Sequence, residues 1–277
     1  MHYIQFKADS STSLGMTKFV TYTSFRLPDC RTKQKEPSLS KEKIIVALDV
    51  DTTDKAVVLV KQLKNDVGAF KVGLELVNSA GLDIFDKIKD AGAGKIFYDC
   101  KFHDIPNTVA GASRAAAGFG VWMFNVHACG GFAMMKAAKD AAIEVGDKLG
   151  IAPPLVIAVT VLTSIDQPTL NNELGVPGPV ADQVVHLARL AQDAGLDGVV
   201  ASPHEIELIR LACGKDFLII TPGVRPAGGD IGDQKRVMAP GEAVRKGSSY
   251  LVVGRPITKA DDPAYAARAI AEEIENS

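Results

Sequence analysis

The chain has 277 residues, 47% of them hydrophobic, and its 31 basic and 33 acidic side chains leave a formal charge of −2. The apolar fraction suffices for a core, which excludes disorder over most of the length, and the basic surplus of a nucleic-acid binder is missing. No apolar run nears the roughly 18 residues of a membrane span, so neither nucleic acid nor membrane is expected as a partner.

In chain order, residues 1–40 come first, with Ser10, Ser11, Thr12 and Ser13, scattered charge and no sustained period. They are read as a disordered N-terminal extension, and the folded domain as 41–277. The extension lacks the apolar stretch of a secretory signal. Its six basic residues with Ser and Thr also suit a transit-type peptide, against which Asp9, Asp29 and Glu36 weigh. From Ile44 onward, strand-length apolar runs alternate with helical periods. A strand over 44–50 precedes a helix over 53–65, with Asp51, Thr52 and Thr53 as cap candidates. A strand over 69–73 precedes a helix over 79–91 that stops at Gly92. Strand 95–100 leads to helix 106–118, with Pro106 suited to the first turn. The remaining pairs are 121–127 with 131–145, 155–162 with 180–194, and 198–201 with 203–213. Then come 217–221 with 240–246 and 250–254 with 262–275.

Strands rich in Val, Ile and Ala without polar alternation are buried on both faces, and so are parallel. Eight such units over 41–277 average about thirty residues, the size of a βα step. The fold class is therefore α/β, a single (β/α)8 TIM barrel. An open doubly wound sheet is the alternative, but no GxGxxG follows the first strand. The four cysteines, Cys30, Cys100, Cys129 and Cys213, form no CxxC pair, which suits free thiols in a reducing, cytoplasmic setting. The five histidines form no HxxxH or HExxH, so no metal site is expected.

Barrel active sites sit at the C-terminal strand ends. Asp49 lies at the end of the first strand, Lys71 in the second, and Asp99 and Lys101 in the third. Residues two apart share a face, so Asp99 and Lys101 both point into the mouth. The prediction is two ammonium groups and two or three carboxylates within a few ångströms. Arg225 and Arg255 follow strands seven and eight, where this fold commonly grips a phosphate. The stretch 222–238, with Gly223, Gly228, Gly229 and Gly232, has the length of a lid or binding loop. Other features read as structural: His103 and His127 as satisfied groups, Met134 and Met135 as core, Trp122 as packing.

The run Asp99-Cys100-Lys101-Phe102-His103-Asp104-Ile105-Pro106-Asn107-Thr108 resembles the D-x-K-x-x-D-I-P-x-T signature of the orotidine 5′-phosphate decarboxylase family. Ala47-Leu48-Asp49, Lys71-Val72-Gly73, Leu162-Thr163-Ser164, Thr221-Pro222-Gly223-Val224-Arg225 and Val253-Gly254-Arg255-Pro256 also stand where that family has them. The resemblance covers about residues 43–275. It implies a homodimeric barrel that converts orotidine 5′-phosphate to UMP and CO2 without a cofactor. It further implies that Asp49 binds the ribose and pyrimidine side, and that Lys71 contacts the ribose and the charge array. Asp99 would face the leaving carboxylate and Lys101 would protonate C6. Asp104, Ile105 and Thr108 would approach the neighbouring subunit's site, and Thr163 would lie along the pyrimidine. Arg225, Gln234, Gly254 and Arg255 would hold the phosphate. Two rivals are a metal-dependent sugar-phosphate decarboxylase or aldolase of the same barrel group and a phosphate-binding barrel without turnover. The metal-dependent relatives carry an acidic ligand where this chain has Lys71.

Overall fold

Eight short strands alternate with helices in a computed structural model that describes residues 39–225 and 238–277. The strands are β1 (Ile44–Ala47), β2 (Ala69–Gly73), β3 (Ile96–Phe102), β4 (Met123–His127), β5 (Leu155–Val159), β6 (Gly198–Val200), β7 (Leu218–Pro222) and β8 (Tyr250–Val253). Each pairs in parallel with the next, and β8 closes onto β1 with Ile45 opposite Val252. The expected (β/α)8 barrel is thus the observed one. The expected extension, residues 1–40, lies outside the described residues up to position 38.

The helices are α1 (Thr53–Leu63), α2 (Leu74–Ala80), α3 (Ile84–Asp90), α4 (Pro106–Gly118), α5 (Phe132–Leu149), α6 (Val180–Asp193), α7 (Ile206–Cys213), α8 (Pro240–Arg245), α9 (Arg255–Thr258) and α10 (Pro263–Glu275). Of the three cap candidates for α1, Thr52 takes the position and accepts from the Lys55 N–H at 3.4 Å. The helix expected over 79–91 is α3, which starts later, at Ile84, and a further helix, α2, precedes it and overlaps the expected range only at 79–80. Gly81, at φ 79°, turns the chain between them. The sequence hides α2 because Leu76 is its one fully buried residue, so it carries no apolar stripe. Several strands are shorter than their apolar runs. Leu48 lies beyond the end of β1 yet is wholly buried. Burial continues past the paired backbone, and hydrophobicity alone does not mark where pairing stops.

The strands sort their side chains into two sets. One set faces the helices, among them Ile44, Val46, Val72, Phe124 and Val126. The other plugs the barrel with Ile45, Ala47, Ala69, Phe97, Met123, Ile157, Ile220 and Val252. The next inward positions, two residues further toward the C-terminal ends, hold Asp49 after Ala47, Lys71 after Ala69, Asp99 after Phe97 and Asn125 after Met123. An apolar plug therefore floors a layer of polar side chains. Met134 and Met135 are buried on α5, as the sequence implies. Trp122 packs edge-on against Tyr250, with the ring centroids 5.1 Å apart.

Candidate active site

A cavity of about 660 Å³ opens at the C-terminal ends of the strands. Ala47, Phe97, Val200 and Val252 form its apolar base, and its polar lining includes Asp49, Lys71, Asp99, Lys101, Thr163, Arg225 and Arg255.

The acidic and basic groups form one connected row. The Lys71 Nζ donates to Asp49 Oδ1 at 2.9 Å and stands 3.4 Å from Asp99 Oδ2. The Lys101 Nζ donates to Asp99 Oδ1 at 2.6 Å. Asp99 is thus held between two ammonium groups, with its side chain only 13% exposed. Gly73 makes room for this arrangement. A Cβ there would come within 2.8 Å of the Lys71 ammonium.

Lys101 enters the cavity by an irregular backbone. Tyr98 pairs with Phe124, but Phe102 pairs with Val126, so four steps along β3 match two along β4. Within this bulge Lys101 has φ 51°, the one positive value at a non-glycine among the described residues. Such a conformation is strained for an L-residue and is held by its surroundings. Regular alternation gives the right face for Lys101 but does not foresee the bulge that aims it.

Burial and charge oppose one another at this row. Burial pushes the Asp99 carboxyl up. Lys71 and Lys101, with hydrogen bonds from Lys101 and Asn125, outweigh it and hold the carboxyl below its ordinary value. Burial likewise presses the Lys71 ammonium toward neutrality, and Asp99 and Asp49 outweigh it, so its proton is held more tightly than usual. Burial pushes the neighbouring Cys100 thiol up to about 12, which keeps it protonated and out of nucleophilic chemistry.

Across the cavity the lining changes character. Gly223, at φ 80°, turns the chain after β7, and Gly254 and Arg255 follow β8. Arg225 donates its backbone N–H to the Met238 carbonyl at 3.0 Å, and Val224 bridges Met238, so the two described ends of the 222–238 stretch are drawn together. Lys259 also lines the cavity. Among the described residues the lining holds five cationic side chains (Lys71, Lys101, Arg225, Arg255, Lys259) and three carboxylates (Asp49, Glu75, Asp99). Among these, cations outnumber carboxylates by two, which favours an anionic ligand.

Of the expected site residues, Asp49, Lys71, Asp99, Lys101, Thr163, Arg225, Gly254 and Arg255 come together at this cavity. Asp104, Ile105 and Thr108 do not line it. They stand exposed where β3 passes into α4, with Ile105 67% exposed. Gln234 lies outside the described residues, as does most of the expected lid over 222–238, namely 226–237. Sequence reasoning missed Asn125, a wholly buried polar residue among the apolar Met123, Phe124 and Val126 of β4. Its position two residues after Met123, level with Asp99 and Lys71, is the signal that could have found it. Lys259 and Glu75 were also missed, since α9 and α2 carry no clear period.

A parallel barrel with an apolar plug and a charged, partly buried layer at its C-terminal mouth belongs to the enzyme class of (β/α)8 proteins. Residues 42–270 match the model of the orotidine 5′-phosphate decarboxylase / HUMPS family, and the chain belongs to that family. It is 57% identical over 236 residues to the orotidine 5′-phosphate decarboxylase of Moorella thermoacetica, covering 85% of this chain and 93% of that protein. The Syntrophomonas wolfei protein of the same name is 50% identical, covering 85% of this chain and 99% of that protein. The crystal structure of orotidine 5′-phosphate decarboxylase from Lactobacillus acidophilus superposes with a TM-score of 0.74 at 43% identity, covering 83% of this chain and 98% of that one. No helix among the described residues is long and apolar enough to cross a membrane.

The two shifted groups define a pH window for stability. The lowered Asp99 contributes stability above its unfolded value of about 3.9, and this is lost as pH falls through the still lower folded value. The raised Lys71 contributes below its unfolded value of about 10.4, and this is lost as pH rises through the higher folded value. Urea midpoints measured against pH are expected to show a plateau between these limits, with a shallower acid limb in Asp99→Asn. Superimposable acid limbs in parent and variant would contradict this assignment.

Proposed function

We propose that the protein is an orotidine 5′-phosphate decarboxylase that releases CO2 and UMP without a cofactor, in pyrimidine biosynthesis. The observation that carries this reading is the Asp99 carboxylate buried between the Lys71 and Lys101 ammonium groups, in a chain of this family.

Loss of CO2 breaks the bond between C6 and the carboxylate carbon and leaves the electron pair in a ring σ orbital. No neighbouring carbonyl can delocalise that pair, so stabilisation must come from fixed charges. In the proposed step the Lys101 ammonium faces C6 and delivers its proton there as CO2 leaves. An ammonium about 4 Å from the forming carbanion is worth roughly 4 kcal/mol at an effective dielectric near 20, or about three decades in rate. Asp99 adds a second contribution. Beside the substrate carboxylate it is repelled by like charge, and departure of CO2 relieves that repulsion. Asp49 and Lys71 hold the ribose side, and Thr163 the pyrimidine. Arg225, Gln234, Gly254 and Arg255 bind the phosphate, whose binding energy is then available to the distant ring.

The Lys71 ammonium already sits between Asp49 and Asp99, where a metal-dependent relative would need a divalent ion. A cation at that point repels the ion. The first test follows the ultraviolet absorbance of orotidine 5′-phosphate with and without EDTA. Loss of substrate is expected in both samples, and loss that EDTA abolishes would reject the cofactor-free reading. Lys101→Ala is expected to stop turnover while UMP still binds. Normal turnover by that variant would sink its assignment as the proton donor.

Arg255→Ala is expected to impair the natural substrate far more than an analogue lacking the phosphate. Equal losses on both would remove Arg255 from phosphate binding.

The functional unit in this reading is a homodimer, with Asp104, Ile105 and Thr108 reaching the partner's site. Their exposure beside α4 outside their own cavity, together with exposed Phe132 at the start of α5, supports it. Sedimentation is expected to give a two-chain mass that Ile105→Asp lowers, and a monomeric, fully active parent would refute the dimer. A cytoplasmic location accompanies the reading, supported by the free thiols of Cys100, Cys129 and Cys213; cell fractionation decides it.

A further inference from the structure

Asn125 lies on β4, directly across from the bulge in β3, and is wholly buried. Its Nδ2 donates to Asp99 Oδ1 at 2.7 Å, on the oxygen that also accepts from the Lys101 Nζ. Its Oδ1 accepts from the Lys101 backbone N–H at 2.7 Å. Its backbone carbonyl accepts from the Cys100 thiol at 3.1 Å. Each of the three consecutive residues Asp99, Cys100 and Lys101 therefore has a hydrogen bond to this one asparagine. The orientation of the amide is fixed by chemistry. Reversed, it would set an oxygen against a carboxylate and an N–H against an N–H.

Where β3 bulges, regular ladder bonds between it and β4 are interrupted. The Asn125 side chain stands in for them. It anchors the left-handed backbone of Lys101 with one end and points the Asp99 carboxylate with the other. Two groups whose separation decides the charge row are thereby referred to a single rigid amide.

We propose that Asn125 is a positioning residue for decarboxylation, setting the Asp99 carboxylate and the Lys101 ammonium in register through its side-chain amide. The inference rests on the reading of Lys101 as the proton donor and Asp99 as the group facing the leaving carboxylate. It assigns Asn125 no contact with the substrate. Binding of phosphate and ribose, carried by other strands, is then independent of it, and the chemical step is not.

The test compares the parent chain with Asn125→Ala and Asn125→Asp, each shown to be folded by circular dichroism. For Asn125→Ala, kcat is expected to fall about 100-fold, the scale of an ångström-sized misplacement. KM and the UMP Kd should stay within about threefold, because ground-state contacts are intact. A variant that keeps kcat near the parental value, or whose UMP binding weakens in step with kcat, overturns the positioning role. Asn125→Asp keeps the acceptor for the Lys101 N–H and loses the donor to Asp99. Ionised, the introduced carboxylate opposes Asp99; protonated, it can donate to it again. The charged and titratable groups around this point are Asp99, Cys100, Lys101, Lys71 and His127, all shared with the parent, and the Cys100 thiol, pushed up to about 12 by burial, stays protonated throughout. The ratio of variant to parental kcat is therefore expected to rise at least about tenfold between pH 8.5 and 5.5. Parallel pH profiles overturn the proposal, and this variant decides alone should Asn125→Ala not fold. An inactive parent overturns the decarboxylase reading and this inference with it, whereas an active parent with unaffected variants overturns the inference alone.

Discussion

The site depends on one constraint: Asp99 is buried, and two flanking ammonium groups, with a hydrogen bond from Asn125, hold its carboxyl below its ordinary value in spite of that burial. A lone carboxylate in that place would take up a proton, since burial penalises the charged form. Either lysine alone would leave an unbalanced row. Lys71, itself nearly buried, holds its proton more tightly than usual because Asp99 and Asp49 outweigh the effect of burial. The groups hold one another's charge states, and each comes from a different strand or from a different point on β3. The closed barrel brings them within hydrogen-bonding distance, and the apolar plug beneath them limits access of water from below.

Such an arrangement does most where charge changes place during a reaction. Fixed charges reorganise little when a carboxylate is lost and a carbanion forms, and their effect is larger in a poorly solvated cavity. The opposite wall is built differently. There, arginines and glycine-bearing turns after β7 and β8 favour recognition of an anion. One wall of the cavity thus carries opposed charges at close range, and the other carries cations at the loop ends. In the proposed reading binding and chemistry are thus separated in space, and binding energy from one can serve the other.

The bulge in β3 is where backbone and chemistry meet. A regular strand would place Lys101 by simple alternation. The structure instead inserts extra residues and accepts a left-handed φ at a lysine. The strain is tolerated because Asn125 on the neighbouring strand satisfies the displaced backbone. Irregularity at this point re-aims a side chain without disturbing the pairing of the remaining strands.

Much of this was legible in the sequence. Apolar runs without alternation are satisfied by burial on both faces, so eight of them separated by helical periods point to a parallel sheet, for which a closed barrel is the economical architecture. The same periodicity puts Asp49, Lys71 and Asp99 at inward positions near strand ends, and the motif around Asp99 to Thr108 indicates the family. Three things needed the tertiary structure. Helix α2 was hidden because it buries too little to leave a stripe. The role of Asn125 was hidden because its partners lie on another strand, and a lone polar residue in an apolar run does not reveal what it faces. The bulge at Lys101 was hidden because register is a relation between two strands, fixed by their pairing in space and not by the order of residues in either one.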